Sequence, residues 1–293
     1  MVKKQMLNRH QHEMTLVCWE VENPQAIMVI SHGASEHIYR YGKLARYLNE
    51  QQIMVYGYNQ LGHGDNIVKD INGVFFDDTN GATYLVDDLE DVCLTAYQQY
   101  PNIPLIVFGH SMGSLIVRAW SFRTRLMVDK IIICGSLNPK KTLVDFGFLL
   151  AKLETKFLGK YHISKLLNGL AFGSLEKQIS YNQDNINKYK NDQNCGKCFS
   201  NQAIVDLLKI IKAVEIEKNI AKMLKTKYYF ISGQDDPFSD RTKQIQVLMK
   251  LLDKYNIDYT YKFYEGMKHE IINEINSEIV YQDIVKSINE IKK

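Results

Sequence analysis

Short runs of apolar residues recur along the chain, and a stretch of helical periodicity follows most of them. Such runs are Ala26-Ile27-Met28-Val29-Ile30, Ile53 to Tyr58, Leu105-Ile106-Val107-Phe108, Ile131-Ile132-Ile133-Cys134, Tyr228-Tyr229-Phe230-Ile231 and Tyr259 to Tyr264. Most are apolar at every position rather than at every second one. A strand of that kind has to be covered on both faces, which is the condition of a parallel sheet between helices. The covers are expected over Tyr39 to Gln51, Ala82 to Tyr100, Ser111 to Arg123, Lys243 to Tyr255 and Asn273 to Lys292. In the second of these Leu85, Val86, Leu89, Val92 and Cys93 share one face, and Pro101 and Pro104 bracket its end. The pattern predicts an α/β chain with a mostly parallel central sheet and helices on both sides.

From Leu137 to Lys225 the rhythm breaks. The segment is helical in pattern, rich in Leu, Lys and Asn, and holds no clear buried strand. It lies between two core strands, so it reads as an inserted helical cap. The expected organisation is a core in two parts, 1–136 and 226–293, with the cap at 137–225. A chain of 293 residues, 45% hydrophobic, suffices for one such core plus a cap.

Charge excludes some partners. The 36 basic and 33 acidic residues leave a net charge of +3, too near balance for a nucleic-acid partner. Met1-Val2-Lys3-Lys4-Gln5 is basic, but Glu13, Glu20 and Glu22 follow instead of an apolar stretch, so no signal peptide is read. No run approaches the ~18 apolar residues of a membrane span. A soluble, cytoplasmic protein is expected, at most peripheral to a membrane; the oligomeric state is not encoded legibly. The five cysteines, Cys18, Cys93, Cys134, Cys195 and Cys198, form no disulfide framework and are expected reduced. Cys195-Gly196-Lys197-Cys198 is a lone C-x-x-C with no two further ligands nearby at a suitable spacing, so no metal site and no cofactor are expected, and the pair reads as free thiols in a loop.

The run Leu105–Phe108 leads directly into Gly109-His110-Ser111-Met112-Gly113, and a helical stretch follows. This is G-x-S-x-G in the strand, sharp turn, helix setting that gives the string its meaning. The turn lifts the serine hydroxyl above the sheet, and the glycines let neighbouring backbone come close. It also sets the Met112 N–H at a helix N-terminus, facing any negative charge that develops there.

A serine nucleophile needs a base, and in this arrangement the partners follow in the order Ser, Asp or Glu, His. Only His162 and His269 come after Ser111. His162 falls within the expected cap; His269 follows the last strand and the turn Glu265-Gly266-Met267-Lys268, where catalytic groups collect in open α/β sheets. His269 is therefore the candidate general base. The acid is sought in Ser232-Gly233-Gln234-Asp235-Asp236-Pro237 after the preceding strand. Asp236 is the better placed and Asp235 its competitor; the other would be a loop charge or a helix cap. Two oxyanion donors are expected: the N–H of Met112, and that of Ala34 in His32-Gly33-Ala34-Ser35-Glu36-His37 after the first run. Ser35 could equally cap the next helix.

These segments together resemble the monoacylglycerol lipases and related lysophospholipases of the α/β-hydrolase superfamily. His32-Gly33-x-x-Glu36-His37 with Arg40-Tyr41, the Gly62-His63-Gly64 turn, the Gly109–Gly113 elbow, Gly233-x-x-Asp236 and Glu265-Gly266-x-x-His269 fall in that family's order, from about residue 26 to 270. The resemblance implies the α/β-hydrolase fold, a cap over the serine, and esterase activity on acylglycerols or lysophospholipids. It implies Ser111, Asp236 and His269 as the triad and Ala34 and Met112 as oxyanion donors. Asn59-Gln60-Leu61 stands where the family carries a D-x-R type of pattern before the G-H-G turn. In the cap Phe146, Leu149, Leu150, Leu153 and Phe157 recur at helical spacing among Lys152, Lys156 and Lys160. The plainer reading is a helix packed on the core and lining an acyl pocket; contact with a lipid surface is the alternative.

The expected chemistry is cofactor-free hydrolysis of a small-molecule or lipid carboxylic ester through an acyl-enzyme. Serine peptidase, thioesterase and acyltransferase share the same constellation, and a catalytically idle binding protein is the non-enzyme rival. A Ser at the elbow argues against the Asp-nucleophile dehalogenases and epoxide hydrolases of this fold.

Overall fold

The computed structural model describes residues 1–10, 12–67, 71, 73–173 and 175–291. In chain order the strands and helices are β1 (Val2–Leu7), β2 (Glu13–Trp19), β3 (Ala26–Ser31), α1 (Gly42–Glu50), β4 (Ile53–Tyr58), α2 (Gly81–Gln99), β5 (Leu105–His110), α3 (Met112–Ser121) and β6 (Lys130–Cys134). There follow α4 (Lys141–Leu158), α5 (Lys165–Phe172), α6 (Leu175–Gln178), α7 (Gln183–Asn191), α8 (Asn201–Glu215) and α9 (Glu217–Ile220). The chain ends with β7 (Lys227–Gly233), α10 (Lys243–Lys254), β8 (Tyr259–Tyr264) and α11 (Ser277–Asn289).

The strands form one sheet in the order β1-β2-β4-β3-β5-β6-β7-β8. From β4 to β8 all pairings are parallel; β1–β2 and β2–β4 are antiparallel. The expected parallel α/β sheet is thus present, with two N-terminal strands that the pattern reading did not include. The run Met14-Thr15-Leu16-Val17-Cys18-Trp19 carried the β-signal for one of them. It is buried along its length, and its pairing with β4 extends the sheet.

The continuous apolar strands are explained by two hydrophobic layers. Alternate β3 residues divide between them: Ile27 and Val29 face α2, α3, α8 and α10, whereas Ala26, Met28 and Ile30 face α1 and α11. Each fully buried Ile or Val is worth roughly 1.5–3 kcal/mol over an exposed one, so no polar face can be spared. The outer strand β8 is mostly exposed and correspondingly rich in Tyr, Thr and Lys.

The last helix starts later than its periodicity predicts, and Lys292 of the expected range lies outside the described residues. The Glu274 carboxylate accepts the backbone N–H groups of Tyr181, Asn182 and Lys268 at 2.9–3.1 Å, which holds Glu274 extended and delays the helix to Ser277. The 3₁₀ turn Ile38–Tyr41 likewise precedes α1, which begins only at Gly42.

Between β6 and β7 lie the helices α4 to α9. Helix α8 packs on α2 and α3, and α4 packs on α8. The apolar stripe of α4 departs from the plainer reading. Val144 and Ala151 are buried, and Leu150 is partly buried against the core. Phe146, Leu149, Leu153 and Phe157 instead face outward, with Phe157 75% exposed. The helix meets its neighbours through a narrow seam, so the wider stripe is left over. No described helix is long and apolar enough to cross a membrane.

Candidate active site

Ser111 stands between β5 and α3 with φ +51° and ψ −119°, a conformation costly for a non-glycine residue and typical of a strained functional turn. The turn is held from both sides. The Ser111 N–H donates to the Cys134 carbonyl at 3.0 Å, and the Ser111 carbonyl accepts from the Ser114 N–H and hydroxyl at 2.9 and 2.6 Å. Gly113 is required for this: a Cβ there would lie 2.1 Å from the Ser31 carbonyl oxygen. The start of α3 therefore sits against the end of β3, and the strand's next residues, Gly33 and Ala34, arrive beside the serine. A Cβ on Gly33 would come within 3.2 Å of the Ser111 Cβ.

Ala34 is half-buried and Met112 buried. Neither N–H donates a hydrogen bond among the described residues. Ser35, at φ +56°, does not cap a helix: its hydroxyl donates to the Lys197 carbonyl at 2.7 Å.

Asp236 and His269 are in contact. The Asp236 Oδ2 lies 3.0 Å from His269 Nδ1, and both side chains are almost fully buried. Asp236 also accepts from the Phe238 N–H at 2.9 Å and the Ser232 hydroxyl at 3.3 Å. Three donors on an inaccessible carboxylate suit the ionised form, which accepts the Nδ1 proton and leaves the lone pair of His269 on Nε2. Asp235 is partly exposed and sits 3.4 Å from the Tyr181 hydroxyl, away from His269. His162 is exposed. Ser111 and His269 both lie by the end of β6: the Ser111 N–H bonds the Cys134 carbonyl, and a Cβ on Gly135, the next residue, would fall 3.3 Å from His269 Cε1.

The Asn59–Gly64 segment supports the loop that carries Ala34. Gln60 donates through its side chain to the His32 carbonyl at 2.6 Å, and Asn59 Oδ1 accepts the Ile38 N–H at 3.1 Å. His63 Nε2 accepts the Ser35 N–H at 3.1 Å, and His32 Nε2 accepts the Gln60 N–H at 3.1 Å. Accepting through one nitrogen makes both rings neutral, and burial pushes them down to about 3 and about 4 respectively.

A buried ionic cluster beneath the serine was not legible as such. His110 Nδ1 lies 3.2 Å from Glu36 Oε1, and its Nε2 3.3 Å from the His269 carbonyl. A carboxylate and a carbonyl only accept, and a ring that donates to both is the imidazolium form, which this placement favours. Burial opposes that charge, but the Glu36 carboxylate outweighs it and raises the His110 pKa. Arg40 bridges Glu36 at 2.7 Å and Glu270, bidentately, at 2.6 Å. Two cations and two anions thereby cancel. Burial alone would raise Glu36, but the His110 hydrogen bond and the Arg40 charge hold it well below the usual carboxylate range. The sequence signal was present in Glu36, Arg40 and the histidine before Ser111. What was missing was Glu270, which joins them only in space.

Segment 177–198, between β6 and β7, touches the loops that follow β3, β7 and β8. The Glu270 N–H donates to the Ile179 carbonyl at 2.7 Å. Asn185 bonds Arg40 and Glu270 at 3.0 and 2.8 Å, and Tyr189 lies under the Arg40 guanidinium at 4.9 Å. The Tyr189 hydroxyl and the Gly196 N–H both donate to the Ser35 carbonyl at 2.9 Å.

The model of the family Hydrolase_4, described as serine aminopeptidase, S33, matches residues 22–276. The chain belongs to this family. It is 26% identical over 264 residues to a human monoglyceride lipase, covering 86% of this chain and 78% of that one. It is 24% identical over 271 residues to a monoacylglycerol lipase of Mycolicibacterium smegmatis, covering 91% and 89%. Among solved structures, a soluble variant of monoglyceride lipase from Saccharomyces cerevisiae in complex with a substrate analogue superposes with a TM-score of 0.80 at 19% identity, covering 99% and 95%. The fold is the α/β-hydrolase fold, and the resemblance read from the motifs is met at the level of family and of serine-hydrolase class, with lipases and esterases as its neighbours.

The ionic cluster carries a stability prediction. Glu36→Ala strands His110 in the interior and leaves Arg40 to Glu270 alone, and is expected to cost about 3–5 kcal/mol, read as a lowered urea midpoint. The pH dependence has two limbs. His110, with its folded pKa raised, contributes stability fully below its unfolded value near 6.5 and loses it as pH climbs through the folded value. Glu36, with its folded pKa depressed, contributes above its unfolded value near 4.5 and loses it as pH falls through the folded one. Wild-type stability should decline on both sides of that window. Glu36→Gln should flatten both limbs; an unchanged profile would contradict the cluster's charge assignment.

Proposed function

We propose that this protein is a carboxylic ester hydrolase acting on monoacylglycerols, lysophospholipids or similar lipid esters through an acyl-enzyme. What supports the reading is the strained Ser111 elbow together with the buried Asp236–His269 pair, carried at the same end of the parallel strands β5, β7 and β8. Ser111 attacks the ester carbonyl while His269 Nε2 takes its proton, and Asp236 holds the ring and balances the imidazolium. The N–H groups of Ala34 and Met112 receive the oxyanion. His269 then protonates the departing alcohol, and water activated by the same ring releases the acid. Segment 137–225 acts as the cap above this site, and the outward apolar face of α4 rests on the lipid phase that supplies the substrate.

The test is a panel of p-nitrophenyl esters from two to about sixteen carbons, with monoacylglycerol, lysophospholipid and aminoacyl-amide substrates beside it. We expect kcat/KM to rise by about 10-fold or more from acetyl to medium or long acyl chains, as added methylenes are buried. A preference for acetyl esters overturns the lipid reading. Dominant cleavage of aminoacyl amides would instead favour the peptidase activity in the family's description.

A further inference from the structure

Cys195-x-x-Cys198 has no further ligands at a suitable spacing in the sequence, but the fold brings two to Cys195. His37, Asp192 and Cys195 come together, with one donor atom from each lying within 4.8 Å of the others. His37 belongs to the loop after β3, and the other two to the turn after α7. His37 and Cys195 are buried, and Asp192 is partly open to solvent. We propose that these three side chains form a binding site for a divalent cation of the zinc class, which clamps segment 192–198 onto the loop bearing Ala34.

Donor chemistry favours zinc: one imidazole, one thiolate and one carboxylate are the ligands a borderline-soft, tetrahedral ion takes. Two anionic ligands also balance its charge. The present spacing is near what binding needs. His37 Nε2 and Asp192 Oδ2 are 2.7 Å apart, as a hydrogen bond requires. Bond lengths of about 2.0–2.3 Å imply ligand separations of roughly 3.3–3.6 Å, so the pair would open slightly and the sulfur would close in. The turn is already shaped: the Asn194 N–H donates to Asp192 Oδ1 at 2.9 Å, and the Cys195 N–H to the Asp192 carbonyl at 3.1 Å. His37 Nδ1 is buried without a partner among the described residues, so the ring is anchored only through Nε2. Metal binding releases the thiol proton to solvent as the S–metal bond forms. Cys198 is exposed and stands outside the group.

The consequence falls on Ser35, between Ala34 and Glu36. Its carbonyl and hydroxyl already bond Gly196, Tyr189 and Lys197, so an ion at Cys195 would brace the same contact. The site stands independently of which ester is cleaved.

Equilibrium dialysis of the reduced full-length protein, stripped by chelator, against Zn²⁺ tests this. We expect one Zn²⁺ per chain with Kd below about 1 μM. At a hundredfold excess over Kd, Tm should rise by about 4 °C and return when EDTA is added. Cys195→Ser and Asp192→Asn should each weaken binding by about 100-fold or more, and Cys198→Ser should leave it within about threefold. Co²⁺ should give a near-ultraviolet thiolate charge-transfer band in the wild type, which decides the matter if a variant fails to fold. Absent zinc binding, absent charge transfer, or equal affinity in Cys195→Ser overturns the proposal, as does loss of binding in Cys198→Ser.

Discussion

Ser111→Ala is expected to lower kcat by about 10⁶-fold while leaving the thermal midpoint within a few degrees of wild type. The size follows from the proposed role: without the hydroxyl no acyl-enzyme forms, and only the oxyanion donors and substrate binding remain. The fold should tolerate the change because the elbow is held by backbone. The Ser111 N–H and carbonyl bond Cys134 and Ser114, and alanine keeps both groups. A fluorophosphonate probe reads the same residue directly. Wild-type protein should be labelled once and Ser111→Ala not at all. Failure of the native protein to react, or label persisting in the variant, would remove the nucleophile assignment.

Asp236→Asn is expected to cost about 10⁴-fold in kcat with a small change in KM. An amide at 3.0 Å from His269 Nδ1 can present its N–H₂ there, which favours the tautomer with the proton on Nε2 and the wrong nitrogen toward Ser111. It also removes the charge that balances the imidazolium. Asp235→Asn serves as the paired control and should stay within about threefold, since its carboxylate lies partly exposed against Tyr181. The pair separates the two adjacent acids, which spacing left in competition. Similar losses in both, or the larger loss in Asp235→Asn, would reassign the acid.

Much of the fold was legible for a simple reason. Strands apolar at every position, as in Ala26–Ile30 and Ile131–Cys134, have no solvent face, and only a sheet covered twice accommodates them. The antiparallel β1 and β2 were not read, because β1 offers a basic stretch and its pairing lies with residues 13–18. The stripe on α4 shows a different limit. Periodicity fixes which residues share a face but not what the face meets, and here Phe146, Leu149, Leu153 and Phe157 are left largely exposed.

Taken alone, the sequence determined the elbow at Ser111, the order of the candidate partners and the parallel core that places them at strand ends. These follow from local patterns: a strand, a glycine-flanked turn and a helix within a few residues of each other. Only the tertiary structure decided between Asp235 and Asp236 as the neighbour of His269, set His110 between the Glu36 carboxylate and the His269 carbonyl, and brought His37 to Asp192 and Cys195. Each of those depends on groups up to 159 positions apart, Glu270 on Arg40 further still, whose protonation and ligand chemistry are set by what burial leaves within a few ångströms. Sequence spacing carries no record of that.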